Sequence, residues 1–499
     1  MLTIFYGCVK IWYMEDVRQL VIRKYKALPE DKPQKLCDAM GGMTAGFIMI
    51  LLSFGIPVVS EAATRYVSQS GLHLSPYTNW GQAATNISTA LAAAAEGDEI
   101  WVSNGTYYLS AQLQITNGIG LLGVYGAEAT ILDAQGSGRC LYMAHSNAWV
   151  DGLTIRNGHV EGEGGGGVLC EGGGTIRNSI IAQNSVITVS GGGGGVYLNG
   201  GGSVLNCQVV NNQVESRNFT TGDGLGGGGI ACAYGGLVEN SKIAYNVSHA
   251  AGTGGGGGVS CWGGGVVRGC TVHSNTNYSG EGYGGGGICA MTFGGEVLID
   301  SCTIIRNFAR GWSASDQGYG GGFWSWGRST VVNTIIYTNR ASWSGHNVYE
   351  AVEPSEYRNC CIWPAPTNSI ATITNDPSLD PATFRLRADS PCIDAGTNTL
   401  WVQEGQDGEG QSRLFNGQVD IGADEAALVA RSMVATDSVD IAWEVVPFAV
   451  CQLRMTTNLL DPTWQDIGSR FTNSAYELIL SDTNAIERTR FYQLMWFMP

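Results

Sequence analysis

Two short motifs alternate along the middle of the chain, and they constrain the fold more than any other feature. Glycine runs that precede Val, Ile or Phe alternate with apolar-x-x-Asn motifs. The runs begin at Gly164, Gly191, Gly226, Gly254, Gly284 and Gly320, and the motifs end at Asn157, Asn184, Asn212, Asn246, Asn275, Asn307 and Asn339. A repeat of roughly 30 residues is typical of solenoids, propellers and related arrays.

The pattern inside each repeat favours short strands. The apolar residues come in alternating triplets such as Val168-Leu169-Cys170 and Val196-Tyr197-Leu198, which is strand periodicity. Such short strands bury a face only when equivalent strands stack on successive coils about 4.8 Å apart. The sequence therefore predicts an all-β parallel β-helix. The alternative, a propeller, needs long antiparallel strands joined by hairpins.

The recurring asparagines and glycines have separate roles in this prediction. An asparagine at the same place in every coil can pass hydrogen bonds from coil to coil and satisfy the backbone of a tight bend. Glycine suits corners where φ is positive or where two backbones approach closely.

Composition and charge exclude several classes of protein. The 499 residues include 73 glycines and 14 tryptophans, with 44% hydrophobic residues, which is neither collagen-like nor typical of disorder. A net charge of −16 makes nucleic acid an unsuitable partner. Lys242 is the single lysine after Lys35, and no glycine run precedes the Lys-Ser/Thr pair of a Walker A loop.

An apolar run near the start, Ala45 to Val59, predicts export. Lys32 and Lys35 precede the run, and small residues at positions 60 and 62 place a signal-peptide cleavage after Ala62. The run is too short to span a bilayer comfortably, so we expect no transmembrane span in the mature chain and a secreted or cell-surface location. An N-terminal anchor or a core helix is the alternative.

Several segments resemble known β-helix proteins. The paired repeats resemble those of the polymorphic outer-membrane protein family, and the whole resembles the pectin-lyase-like right-handed β-helix superfamily. Residues 80–109 resemble the helix-containing N-terminal cap of those proteins. Residues 390–396 (SPCIDAG) and 420–425 (DIGADE) resemble the choice-of-anchor Q closing module of bacterial surface β-helices.

These observations give a predicted domain organisation. After residue 425 the glycine runs stop and strand-like runs appear, which predicts a small C-terminal β-sandwich. The predicted segments are 1–62 (upstream segment and signal peptide), 63–150 (cap helix and first coils), 151–375 (glycine-rich repeats), 376–425 (closing module) and 426–499 (β-sandwich).

Loops of variable length lie on one edge of the predicted solenoid. The stretch between each asparagine and the next glycine run varies from 6 to 13 residues, and repeat proteins carry binding loops at such insertions. Asp223, Glu281 and Asp316 lie in these loops and could supply oxygen ligands to Ca²⁺. The alternative is a solvated acidic edge that opposes end-to-end association.

An aromatic face is predicted just after the glycine runs. Strand alternation places Trp262, Trp324 and Trp326 on one outward face, and we assign Tyr283 and Tyr319, which directly precede glycine runs, to the same binding surface. Exposed flat aromatic rings can stack on sugar rings. The alternative is that the C-terminal domain or a long loop covers them.

The resemblance to pectate lyases implies calcium-binding carboxylates and an Arg or Lys base. The candidate bases are Lys242, Arg268 and Arg306, with Arg177 and Glu239 in the same outward column as Arg268. The alternative is that these are ordinary surface charges. No histidine lies in a recognisable catalytic motif, and His273 is interpreted as a strand residue.

Cysteines recur at fixed positions in the repeats. Cys170, Cys232 and Cys261 share one predicted inward position, where they would fill the core as thiols. Cys207, Cys270 and Cys302 share another. The alternative is disulfide bonding between neighbouring coils, Cys232 to Cys261 and Cys270 to Cys302.

Two functions fit the sequence. The first is a secreted or surface-displayed, adhesin-like β-helix that binds glycans or other surfaces through its loops and aromatic face. The second is a polysaccharide lyase or hydrolase that acts on an acidic polymer. A protein of net charge −16 is a poor electrostatic match for a polyuronate unless Ca²⁺ bridges them, which favours the first.

Overall fold

The computed structural model describes most of the chain after residue 61. The described ranges are 62–188, 192–216, 226–250, 255–279, 284–311, 317–414, 417–426, 429–434, 439–445, 450–456, 464–472, 477–482 and 491–497. The predicted signal peptide lies outside them, as do Asp223, Glu281, Tyr283 and Asp316. Within these ranges, no helix has the length and apolar character needed to cross a membrane.

The fold is a right-handed parallel β-helix, as predicted. Each full coil passes through four parallel sheets, here named C, A, B and D in chain order; one coil contributes Val196–Asn199, Ser203–Leu205, Gln208–Val210 and Gln213–Ser216. Neighbouring coils pair in register, so that one position recurs directly above itself; Val196 pairs with Ile230 of the next coil.

Sheets C and A form the first half of each coil. The strands of sheet C are Leu113–Ile115, Leu141–Met143, Val168–Glu171, Val196–Asn199, Ile230–Ala233, Val259–Trp262, Ile288–Met291, Phe323–Trp326 and Val348–Glu350. The strands of sheet A are Thr64–Val67, Glu99–Val102, Gly120–Gly123, Trp149–Asp151, Thr175–Arg177, Ser203–Leu205, Leu237–Glu239, Gly265–Arg268, Val297–Asp300, Thr330–Val332, Glu356–Arg358 and Ser369–Ile370.

Sheets B and D complete the coil, and the glycine runs add one short pair. The strands of sheet B are Gly105–Tyr108, Thr130–Asp133, Thr154–Arg156, Ile180–Ala182, Gln208–Val210, Lys242–Ala244, Thr271–His273, Thr303–Ile305, Ile335–Tyr337 and Cys361–Ile362. The strands of sheet D are His159–Gly162, Ser185–Thr188, Gln213–Ser216, Val247–Ala250, Thr276–Ser279, Phe308–Gly311 and Arg340–Ala341. Gly226–Gly227 pairs with Gly255–Gly256.

An asparagine ladder runs through the turn between sheets B and D. Asn212 donates its backbone N–H and its side-chain amide to Oδ1 of Asn246, at 2.9 and 3.0 Å, and Asn246 does the same to Asn275. The ladder contains Asn184, Asn212, Asn246, Asn275, Asn307 and Asn339, and the amide of Asn347 continues its hydrogen bonds.

The prediction that Asn157 belongs to this ladder is wrong. Its neighbour Gly158 occupies the equivalent place and donates its N–H to Oδ1 of Asn184 at 2.8 Å. Asn157 instead has φ +55° and binds Oδ1 of Asp133 at 2.9 Å. Asparagine tolerates the left-handed conformation, so the same residue type suits both adjacent positions of the bend.

The glycine runs allow the corner between sheets D and C to pack tightly on the ladder. A Cβ at Gly229 would lie 2.8 Å from the carbonyl O of Gly258 and 2.9 Å from Nδ2 of Asn246. A Cβ at Gly228 would lie 2.3 Å from the carbonyl O of Gly257. Any side chain there would push successive coils apart, which explains the repetition of glycine at this corner.

The interior holds the cysteines in columns. Cys170, Leu198, Cys232 and Cys261 occupy one register position of sheet C, as the sequence predicts. Every cysteine in the described residues is a buried free thiol, so the core-filling interpretation fits better than disulfide bonding. Burial raises the pKa of Cys170 to about 12, which keeps the thiol protonated and inert.

The N-terminal part of the described chain carries the predicted helix. Helix α1, Ile87–Ala93, begins at Asn86, whose Oδ1 accepts the N–H of Thr89 at 2.9 Å. Ile87 and Ala90 are buried against the first strands. A 3₁₀ turn, Trp80–Gln82, precedes it.

Residues 376–426 lie along the side of the solenoid. They are mostly irregular and contain helix α2, Leu400–Glu404. Their hydrogen bonds reach several coils: Asn240 donates to the carbonyl O of Gln406 at 2.9 Å, and Ala423 donates to Oγ1 of Thr303 at 3.0 Å. This side docking positions the candidate site described below.

Two three-stranded antiparallel sheets form the C-terminal part, as the predicted small β-sandwich requires. Their strands are Val429–Val434, Val439–Glu444 and Glu477–Asp482 in one sheet, and Gln465–Thr472, Val450–Thr456 and Phe491–Phe497 in the other. Trp443, Cys451 and Leu494 share a buried cluster with Phe384 and with Ile335 of the solenoid.

Candidate functional site

A polar cleft of about 830 Å³ separates residues 400–410 from the turn between sheets A and B. Asn178, Asn206 and Asn240 form one wall, with φ values of +50°, +52° and +48°. Each is the left-handed residue that joins the two sheets in its coil, a conformation that asparagine accepts more readily than other non-glycine residues. The turn therefore stacks amide side chains, which are suited to hydrogen-bonding hydroxyl groups.

Arg268 lies in this cleft and is firmly held. It forms an ion pair with Glu239 at 2.5 Å, and its guanidinium lies 5.0 Å from the ring centroid of Trp401. The predicted outward column is confirmed, since Arg177, Leu205, Glu239 and Arg268 occupy one register position. The ion pair therefore holds the Arg268 guanidinium in a fixed orientation.

A second cavity of about 420 Å³ adjoins the cleft and contains Lys242. Asn240 and Glu409 line both spaces. The structure therefore brings two of the three predicted catalytic candidates, Lys242 and Arg268, to neighbouring cavities. Arg306 lines neither: it donates to the carbonyl O of Pro381 at 3.1 Å and lies over the ring of Phe384.

Three carboxylates at the edge of the cleft were not identified from the sequence. Asp407, Glu409 and Asp424 each bring one oxygen within 4.8 Å of the others, a spacing that could hold a cation. Arg385 already contacts Asp424 at 3.0 Å, and two backbone N–H groups, of Glu409 and Gln411, bind Asp407. These partners therefore offset part of the negative charge of the cluster.

Glu409 is the unusual member of this cluster. Loss of solvent around its carboxylate, together with repulsion from Asp424 and Asp407, raises its pKa to about 7, although the residue as a whole remains exposed. Arg385 opposes this rise. A carboxyl group that binds and releases a proton near neutrality is suited to acid–base chemistry.

His273 is a strand residue, as predicted. It is buried, and its ring lies against Phe384 with centroids 4.7 Å apart. Burial, with the positive charges of Lys242 and Arg306, lowers its pKa to about 4. It is therefore neutral at physiological pH.

A row of aromatic side chains lies at or just after the ends of the strands of sheet C on four successive coils. Its members are Tyr234, Trp262, Phe293 and Trp326, and we call it the aromatic row. Tyr234 is 69% exposed and Phe293 53%, and Trp262 lies with its ring centroid 6.0 Å from that of Phe293. Coils stack about 4.8 Å apart, so the row spans about 14 Å.

Two of the predicted aromatic residues lie in a different position. Trp324 points outward from the main core but is only 1% exposed, because it packs in a small cluster with Cys289 and Met291. Tyr319 packs against Tyr349, with centroids 4.4 Å apart. The prediction that Trp324 belongs to an exposed binding face is wrong; it supports Trp326, at a centroid distance of 6.1 Å.

Strand alternation in the sequence identifies Trp262 and Trp326 as outward residues but does not identify Tyr234 and Phe293. Tyr234 lies one residue, and Phe293 two residues, after the last strand residue, which is the outward position that alternation predicts. Their position directly before a Gly-Gly pair is the feature that could have identified them.

Comparisons with known proteins extend the description of the fold only. No protein-family model matches the chain, and no curated protein matches its sequence. Among solved structures, the chain is similar to the crystal structure of pectate lyase Pel9A, with a TM-score of 0.48 and 16% sequence identity, over 73% of this chain and 97% of that chain. Neither a family nor an activity follows from similarity at this level.

Proposed function

We propose that this protein is an exported β-helix that binds polysaccharide through the aromatic row. The observation that supports the proposal is the exposure of Tyr234 and Phe293, whose side chains are 69% and 53% exposed. Both lie near Trp262, at the ends of successive strands of sheet C. Contiguous exposed aromatic rings are costly in water and usually mark a partner surface. Sugar rings have apolar faces that such side chains stack against.

Intrinsic tryptophan fluorescence gives a direct test, because Trp262 and Trp326 lie in the row. A panel of soluble neutral and acidic polysaccharides is titrated into the protein, and we expect at least one of them to shift the emission in a saturable way. The variants Tyr234→Ala and Phe293→Ala should weaken that binding. An unchanged spectrum and no retention by any polysaccharide of the panel would contradict the proposal.

Export is part of the proposal, and the N-terminal sequence supports it. The apolar run from Ala45 to Val59 and the small residues before position 63 match a signal peptide. Expression of the full chain in an export-competent bacterium, followed by N-terminal sequencing, should give a mature protein that begins at Ala63. Recovery of the uncleaved chain in the cytoplasm would contradict export.

A second candidate function is the processing of an acidic polysaccharide in the cleft. The observation that favours it is the presence of Lys242 and Arg268 in adjoining cavities. A site that binds the carboxylate of a uronate needs cations at such positions. Incubation with pectate or alginate, with and without Ca²⁺, should then produce the ultraviolet absorbance of an unsaturated product. Lys242→Met should abolish it, while Arg306→Ala, which changes a cation outside both cavities, should not.

A further inference from the structure

The segments that carry the aromatic row contain no charged residue. They are 233–236 (AYGG), 262–265 (WGGG), 291–295 (MTFGG) and 326–327 (WG), and all lie in the described part of the chain. Two charged residues directly follow these segments: Glu296, which accepts the hydroxyl of Thr330 at 2.9 Å, and Arg328, which pairs with Glu356. Glu171, on an earlier coil of the same sheet, accepts the hydroxyl of Tyr142 at 2.5 Å. The row therefore offers apolar faces without a charge for an anionic ligand to pair with.

Glycines surround the rings of the row, and the rings do not share one plane, since those of Trp262 and Phe293 are inclined at 57°. Gly263 has φ +64°, and a Cβ placed there would lie 3.2 Å from Cδ1 of Tyr234, so the tyrosine ring rests directly on the glycine backbone. Gly235 and Gly294 have open space where a Cβ would stand. The glycines of these segments raise no side chain that could form the walls of a groove, so the exposed rings are open to a ligand from the solvent side.

We propose that the aromatic row binds an uncharged polysaccharide, such as a β-linked glucan or chitin. This inference rests on the proposed function and narrows its ligand. A protein of net charge −16 repels a polyuronate, and the nearest cation in the sequence, Arg328, is already paired with Glu356. Stacking on an uncharged polysaccharide involves no such repulsion.

The test is depletion of the protein from solution by microcrystalline cellulose and by chitin powder, at physiological and at high ionic strength. We expect retention by at least one of the two solids that is insensitive to salt, because no charge pair contributes to it. The double variant Tyr234→Ala/Phe293→Ala should reduce the affinity at least about tenfold. Soluble polygalacturonate, with and without Ca²⁺, should neither bind nor compete.

Tyr245→Ala is the matched control. Tyr245 has the same φ of +57° as Tyr234 and is 55% exposed, but it lies at the ladder turn and not in the row. It should bind like the parent protein, and all variants should share the thermal unfolding midpoint of the parent.

The outcomes separate the inference from the proposed function. Row-dependent, salt-sensitive binding to polygalacturonate alone would overturn the neutral-ligand inference and leave polysaccharide binding intact. Full binding by the double variant would show that the row is not the site. Retention by neither solid, together with no binding to any soluble polysaccharide, would overturn both.

Discussion

The guanidinium of Arg268 lies over the indole of Trp401, with its central carbon 5.0 Å from the ring centroid. Arg268 belongs to sheet A in the middle of the solenoid, whereas Trp401 belongs to helix α2 in the segment that follows the last coil. Arg413 lies near the same indole, at 5.8 Å. Trp401 is therefore one of the contacts that hold the segment 376–426 against the coils, and it lines the large cleft.

Replacement of Trp401 by Ala should loosen this contact. The variant loses two cation–π contacts and the packing of the indole, and we expect the free energy of unfolding to fall by about 1–2 kcal/mol. Chemical denaturation measures the change, and limited proteolysis should show earlier cleavage within residues 400–410. The control is Leu400→Ala, because Leu400 is 88% exposed and should give parent-like stability. Equal stability of the two variants would contradict the fastening role.

The sequence predicted the coil architecture well because each coil repeats the same local rules. Alternation in triplets such as Val196-Tyr197-Leu198 correctly separated inward from outward positions. The error at Asn157 arose because two adjacent places in one bend both accept asparagine, one for its ladder amide and one for its left-handed backbone. Spacing alone does not distinguish these two reasons for one residue type.

The site was less predictable because contacts distant in sequence create it. The hydrogen bond between Asn240 and Gln406 joins a middle coil to a segment with no repeat of its own, so no periodicity indicates which side it covers. Trp324 illustrates the same limit: alternation showed that it points outward, but a local cluster with Met291 covers it. Outward direction and exposure are separate properties, and only the first follows from strand periodicity.

The asparagine ladder should be a major source of stability. In Asn246→Ala, Asn212 loses the acceptor for two N–H groups, and the carbonyl of Val209 and Oδ1 of Asn275 lose a donor, all in a buried position. We expect the free energy of unfolding to fall by about 3 kcal/mol, measured by urea denaturation. Asn211→Gly is the control, because Asn211 is exposed with φ +55° and glycine keeps that conformation. A parent-like midpoint for Asn246→Ala would show that the ladder adds little.

The glycine corner should tolerate no side chain. In Gly229→Ala the new methyl group would meet the carbonyl O of Gly258 at 2.8 Å and Nδ2 of Asn246 at 2.9 Å, so the coils must separate. We expect a loss of about 1–3 kcal/mol, measured as a lower thermal unfolding midpoint. Gly138→Ala, where nothing lies within 4 Å of the added carbon, should be neutral or stabilising by about 0.5 kcal/mol. Parallel behaviour of the two variants would argue against close packing at this corner.

The stability of the segment 376–426 should depend on pH through Glu409. Its folded pKa of about 7 lies above the ordinary value of 4.5, so the folded protein binds this proton more tightly than the unfolded chain does. The contribution is therefore fully present at low pH and is lost as the pH rises from about 4.5 through about 7. Glu409→Gln mimics the protonated form and removes this contribution to the pH dependence.

Thermal unfolding of the parent and of Glu409→Gln across this pH range measures the effect. The parent midpoint should fall relative to that of the variant as the pH rises, with the steepest change midway between the unfolded and folded pKa values and a levelling off above the folded pKa. Glu128→Gln, the same charge change in the same cleft but outside the carboxylate cluster, should follow the parent. If the profiles of the parent and of Glu409→Gln stay parallel, this proton is not linked to folding. The arginine partners of Asp407, Glu409 and Asp424 would then be sufficient to offset the repulsion among the three carboxylates.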